Sequence, residues 1–118
     1  MPKYLLEATY TTEGKRTLVD FGGTKRQEAV EESIHKAGGR VEAFYFAFGD
    51  VDAYVIVELP DNVSAAALAL AVASSGLVRI KTSVLVTAEE VDEAVRKNVS
   101  HRVPVHHRYE TVKSRSET

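Results

Sequence analysis

Apolar residues recur at every second position from Lys3 to Tyr10, with Tyr4, Leu6, Ala8 and Tyr10 on one side and Leu5, Glu7 and Thr9 on the other. That period predicts a strand. After a break at Thr12-Glu13-Gly14, Leu18 and Val19 mark a short helical piece that Gly22-Gly23 interrupts. Thr24 is a candidate N-cap for a second piece, in which Val30, Ile34 and Ala37 share one side while Glu28, Glu31, Glu32, His35 and Lys36 cover the other. Gly38-Gly39 stops it. Arg40 to Phe48 reads as a strand that is apolar on both faces, Val41, Ala43, Tyr45 and Ala47 against Phe44, Phe46 and Phe48. Gly49-Asp50 signals a tight turn into a partner strand, Val51 to Leu59, which Pro60 ends. Asp61 or Ser64 caps the next helix, which runs to Ser75 before Gly76 and has no charged residue between Val63 and Val78. A helix without a polar face is expected to be deeply buried. Leu77 to Val86 is the fourth strand, with Val78, Ile80, Thr82, Val84 and Val86 opposite Arg79, Lys81, Ser83 and Leu85. Thr87 and Glu90 form a capping box for a last helix bearing Val91, Ala94 and Val95.

The order is β-α-β-β-α-β plus a terminal helix. It predicts an α+β, ferredoxin-like fold: a four-stranded antiparallel sheet, strand order 4-1-3-2, with helices on one face. The domain is expected over residues 1–97 and a basic, His-containing tail over 98–118. One copy leaves the second sheet face bare. If regular alternation holds, Phe44, Phe46 and Phe48 lie on that face, and at about 1.5–3 kcal/mol each their shielding calls for a partner. The simplest partner is a second copy. The chain is therefore expected to be at least a homodimer, two sheets packed face to face as a dimeric α/β barrel.

Charge and composition narrow the function classes. The 118 residues include no cysteine, which removes disulfides, thiolate metal sites and thiol nucleophiles. No apolar run reaches the roughly 18–20 residues of a membrane span, so the chain is expected to be soluble and cytoplasmic. Residues 1–95 carry 9 Lys and Arg against 15 Asp and Glu, while residues 96–118 carry 6 against 2 and three of the four histidines. An acidic body repels phosphate, which argues against nucleic acid as a partner. The basic tail is read as lying on an acidic surface of its own chain or a neighbouring subunit, or as solvated.

The opening Met-Pro-Lys-Tyr-Leu, the run Asp20-Phe21-Gly22-Gly23-Thr24, and the stretch from Gly38-Gly39-Arg40 to Gly49-Asp50 resemble the GYD domain family, as do Leu59-Pro60-Asp61-Asn62 and Val78 to Thr82. The tripeptide that names the family is replaced here by Gly49-Asp50-Val51-Asp52, in which Gly49 and Asp52 match a form one residue longer. The resemblance implies a ferredoxin-like fold of the dimeric α/β-barrel type. Related barrels include cofactor-free monooxygenases, lactone isomerases, haem-handling enzymes and ligand-sensing modules, and the fold alone does not choose among them.

Candidate chemistry gathers on the sheet face turned from the helices. The strand order places Glu7 between Tyr54 and either Arg79 or Lys81. Together these four are candidates to bind an anionic or carbonyl-bearing small molecule, in a pocket expected between sheet and helices. Glu7, Tyr54 and Asp52 are the candidates for proton transfer in a cofactor-independent enzyme. The plainer alternative is a structural or interaction module, with Glu7 in a cross-strand salt bridge that sets register or a subunit contact. Gly22, Gly23 and Thr24, at a helix start, form a second candidate site, for an anion. Its plainer reading is a helix break. His101, His106 and His107 lack metal-ligand spacing and Pro104 interrupts any helix through them, so neither a metal nor a cofactor is expected.

Overall fold

A computed structural model describes residues 1–101 of the chain. The elements are β1 (Lys3–Tyr10), α1 (Thr12–Phe21), α2 (Gly23–Lys36), β2 (Arg40–Phe46), β3 (Ala53–Glu58), α3 (Asn62–Ala73), β4 (Val78–Leu85) and α4 (Ala88–Arg96). The four strands form one antiparallel sheet ordered β2-β3-β1-β4, the ferredoxin-like order that the sequence predicts. The chain divides into two compact units, Met1–Thr87 and a second that begins at Ala88. In the second, α4 starts directly after Thr87, with Glu89 and Glu90 in its first turn and Arg96 in its last, each charge placed to suit the helix dipole.

Local chemistry sets the boundaries. The Thr11 side chain caps α1 by accepting from the Gly14 N–H. Gly22 ends that helix in a left-handed conformation, φ 85°, and is itself the residue from which α2 departs. Thr24 therefore lies inside the first turn of α2, not at its cap. Asp61 caps α3 through the Ser64 N–H at 2.8 Å, which resolves the choice between Asp61 and Ser64. The β2–β3 connection, residues 47–52, is longer than the predicted tight turn.

The principal correction concerns β2. Val41 pairs with Val57 and Ala43 with Ile56, so Glu42 is one residue too many, a β-bulge. A single extra residue reverses the side of everything after it. Phe44 and Phe46 consequently stand opposite Val55 and Ala53, on the helix side, their rings 5.1 Å apart edge to face. Phe44 packs against the core, and Phe48 lies beyond the strand, fully exposed. The uncovered face instead carries Ala43 and Tyr45. The phenylalanine argument for a second copy therefore falls.

An ion-pair network braces the bulge. Lys3 Nζ bonds Glu42 and, at 3.0 Å, Glu58, which also accepts from Arg40 Nε at 3.0 Å and Nη2 at 3.1 Å. The hydrogen bonds from Arg40 and then Lys3 lower the Glu58 pKa from 4.5 to about 2. A carboxyl whose folded pKa is depressed stabilises the fold above its unfolded value and loses that contribution as pH falls through the folded one. Thermal unfolding of the native protein should thus weaken between pH 4.5 and pH 2 more steeply than that of Glu58→Gln. Parallel acid profiles would show that the network contributes nothing.

The core lies between sheet and helices. Tyr4, Leu6, Val55, Val57 and Leu59 meet Ile34 of α2 and Ala65 and Leu68 of α3. The deep burial expected of α3 is absent in the single chain: only Ala65 and Leu68 are buried, while Val63 and Leu70 are 76% and 72% exposed. Among the described residues no helix is long and apolar enough to cross a membrane.

Candidate functional site

The sheet has two unlike faces. On the uncovered one, register aligns Tyr45 of β2, Tyr54 of β3, Glu7 of β1 and Lys81 of β4 in a single row. Arg79 stands one step along, opposite Thr9. The structure thus brings Glu7, Tyr54 and Lys81 together as strand neighbours. No ion pair forms among them: Glu7, Arg79 and Lys81 all lie outside the salt bridges found among the described residues. The predicted cross-strand bridge is not made. Tyr45 is 71% exposed, so the row presents two phenols, an acid and a base to whatever meets this face.

On the helix side the sheet and helices border a cleft of about 660 Å³, open to solvent along Ala29, Ser33, Ala67 and Ala71. Leu6 and Ala8 of β1, Ala53 and Val55 of β3 and Ile80 of β4 form its floor, with Phe44 at the β2 side. One wall is Ala29, Val30 and Ser33 of α2, and the other is Ala67, Ala71 and Val72 of α3. The cleft exists because both helices present small residues at four-residue spacing. Ala29, Ser33 and Ala37 follow α2, and Ala67, Ala71 and Ser75 follow α3 and its end, all lining the space. Residues four apart share a helix face, so two shallow faces oppose each other and leave room between them. Glu7, Tyr54, Arg79 and Lys81 take no part in the cleft, because strand parity sends them to the other face.

Polarity in the cleft concentrates at Tyr10 and Arg26. The Arg26 guanidinium carbon sits 4.7 Å from the centre of the Tyr10 ring, and Nη2 donates to the Gly14 carbonyl at 3.3 Å. Burial pushes the Tyr10 phenol above its usual pKa, against the opposing charge and hydrogen bonding of Arg26. Asp52 is tied in nearby. Its carboxylate accepts the Tyr10 N–H at 2.8 Å, its own N–H bonds the Ala8 carbonyl, and its carbonyl accepts from Ala47. The first two bonds fasten the loop of residues 47–52 onto the end of β1, and the third closes the loop on itself.

The sequence matches the GYD domain over residues 4–95. The chain belongs to the GYD domain family. No curated protein and no solved structure matches it. Within this GYD domain, Asp52, in the stretch that replaces the naming tripeptide, is engaged by backbone groups of β1 and of Ala47 in its own loop. Gly22 and Gly23 occupy the α1–α2 junction, where a side chain on Gly23 would come within 3.0 Å of the Phe46 ring. Among the described residues no cluster of His, Asp or Glu is arranged to hold a metal, and His106 and His107 lie outside those residues.

Periodicity gives Tyr10 only a side of β1, and the anion-site candidate at Gly22, Gly23 and Thr24 stops two residues short of Arg26. The usable signal was the small-residue spacing on the two helices, which marks where they cannot close on each other.

Proposed function

We propose that this GYD domain binds a small, largely apolar molecule in the cleft between its sheet and helices, and that it does so as a homo-oligomer. The cleft carries the first part of the reading. At about 660 Å³, with an apolar floor and walls, it falls in the size range of small-molecule sites, roughly 300–1,000 Å³. The candidates for proton transfer, Glu7 and Tyr54, are on the opposite face of the sheet, so the reading is of a binding protein first. A cofactor-independent reaction at the cleft would have to use groups that line it.

Subunit association is supported by surfaces other than the phenylalanines. Among the described residues Glu7, Lys81 and Arg79 are unpaired charges of both signs on the sheet face turned from α1, α2 and α3, complementary to a rotated copy of themselves. Leu5, Ile56 and Ala43 form an apolar row beside them. In this arrangement Glu7, Tyr54, Arg79 and Lys81 serve packing between subunits, which is the interaction role weighed against a ligand site.

The test uses the neutral dye N-phenyl-1-naphthylamine, with light scattering on the same sample. The wild type should bind the dye and scatter as more than one chain. Ala71→Phe, which fills the cleft from its α3 wall, should weaken dye binding by about tenfold or more with the circular dichroism unchanged. A wild type that leaves the dye dark, or an Ala71→Phe variant that binds it equally, overturns the cleft reading. A single-chain mass at micromolar concentration overturns the association.

A further inference from the structure

We propose that the occupant of the cleft is a monocarboxylate with a compact apolar body, its carboxylate taken by Arg26 with Tyr10 beside it. The inference rests on the cleft reading above and deepens it to a chemical class.

Arg26 is half-buried, lines a mainly apolar space that Thr17, Ser33, Lys36 and Ser75 also border, and makes no salt bridge among the described residues. Withdrawing a cation from water without a counter-ion is costly, and a chain that keeps one there has reason to meet an anion. The group is also held in place. Its stem rises from the first turns of α2, Nη2 is fixed on the Gly14 carbonyl and the plane lies near the Tyr10 ring. A guanidinium has five donors in a planar fork, and its contacts with the Gly14 carbonyl and Tyr10 leave others open. Such a fork matches the two oxygens of a carboxylate.

The neighbours refine the class. The Tyr10 phenol, protonated at neutral pH as any ordinary phenol is, is available as a hydrogen-bond donor. Asp52 is occupied by the Tyr10 N–H and forms no ion pair with Arg26. The other cation along the cleft, Lys36, is matched by Glu32 at 3.5 Å. Among the described residues Arg26 is the cation along the cleft without a carboxylate partner, and one such charge suits one carboxylate, not a dicarboxylate or a phosphate ester. Beyond it, Leu6, Val55 and Ile80 offer only hydrocarbon, which a sugar or amino acid would not use.

The experiment is calorimetric titration with 1-naphthoate and its uncharged counterpart 1-naphthamide. The wild type should prefer the carboxylate by about 10- to 100-fold, the usual range for a charge-assisted hydrogen-bonded pair. Arg26→Gln should remove that preference by weakening naphthoate far more than naphthamide, and Arg26→Lys should restore part of it. Equal binding of the two probes to the wild type overturns the carboxylate and leaves the apolar cleft standing. Binding of neither, with the neutral dye still bound, does the same. Failure of all three ligands overturns both readings. The wild-type ratio decides the matter even if Arg26→Gln does not fold.

Discussion

Replacing Tyr4 with alanine is expected to remove about 3–5 kcal/mol of stability, the range for truncating a buried aromatic side chain. Tyr4 is 1% exposed and is among the largest fully buried side chains of the described residues. It sits on β1, between Val57 of β3 and Val84 of β4, and so bears on three strands at once. Its hydroxyl reaches out of the core to donate to the Asn62 Oδ1 at 2.7 Å, pinning the first residue of α3. The two contributions separate experimentally. Tyr4→Phe keeps the ring and loses only the hydrogen bond, so it should cost about 1 kcal/mol, whereas Tyr4→Ala leaves a cavity as well. Urea unfolding of the three proteins gives the comparison. A Tyr4→Ala loss below that of Tyr4→Phe would mean that the α3 contact, not the core, is what Tyr4 supports.

How much of this was legible depends on parity. In β1 and β4 the apolar and polar residues alternate, Leu5, Thr82 and Leu85 apart, so the facing of Glu7, Arg79 and Lys81, and the strand order that sets Glu7 beside Tyr54, follow from the sequence. In β2 the residues Ala43, Phe44, Tyr45 and Phe46 are apolar on both sides, so alternation holds no information about which side faces the helices. The bulge at Glu42 decides it, and nothing local announces an extra residue: a glutamate suits the uncovered face in either register. What holds it is Lys3, 39 residues away, a contact that no sequence window contains. The cleft was hidden for a related reason. Strand patterns report which side is covered but not how closely the cover sits, and that distance is set here by alanines and serines on two helices that are far apart in the chain. Ala-rich α3 reads simply as an apolar helix. Its significance is that Ala67 and Ala71 leave space where larger side chains would close it, while Val63 and Leu70, neighbours of Ala67 on the helix surface, stay exposed.

The same closeness that is missing across the cleft is extreme at its end, and Gly14 is where it shows. Gly14 is buried in α1, and a Cβ there would lie inside contact distance of the Leu77 carbonyl oxygen and carbon. That carbonyl cannot simply retreat, because it accepts the Thr11 N–H at 3.0 Å and the Thr11 hydroxyl at 3.2 Å, which fasten the start of α1 to the residue before β4. Gly14→Val therefore has to part α1 from Leu77. Overpacking commonly costs about 1–3 kcal/mol and more where backbone must move, so a loss of about 3 kcal/mol or more is expected. Valine recovers little of this through helix preference, since β-branching restricts it in a helix. The effect should extend to the cleft, because the Gly14 carbonyl is the acceptor that steadies Arg26. At temperatures where Gly14→Val remains folded, its preference for naphthoate over naphthamide should shrink while its affinity for the neutral dye holds. A variant as stable as the wild type in urea would show that α1 and Leu77 do not meet this closely. A destabilised variant with the full carboxylate preference would show that Arg26 is positioned without the Gly14 carbonyl.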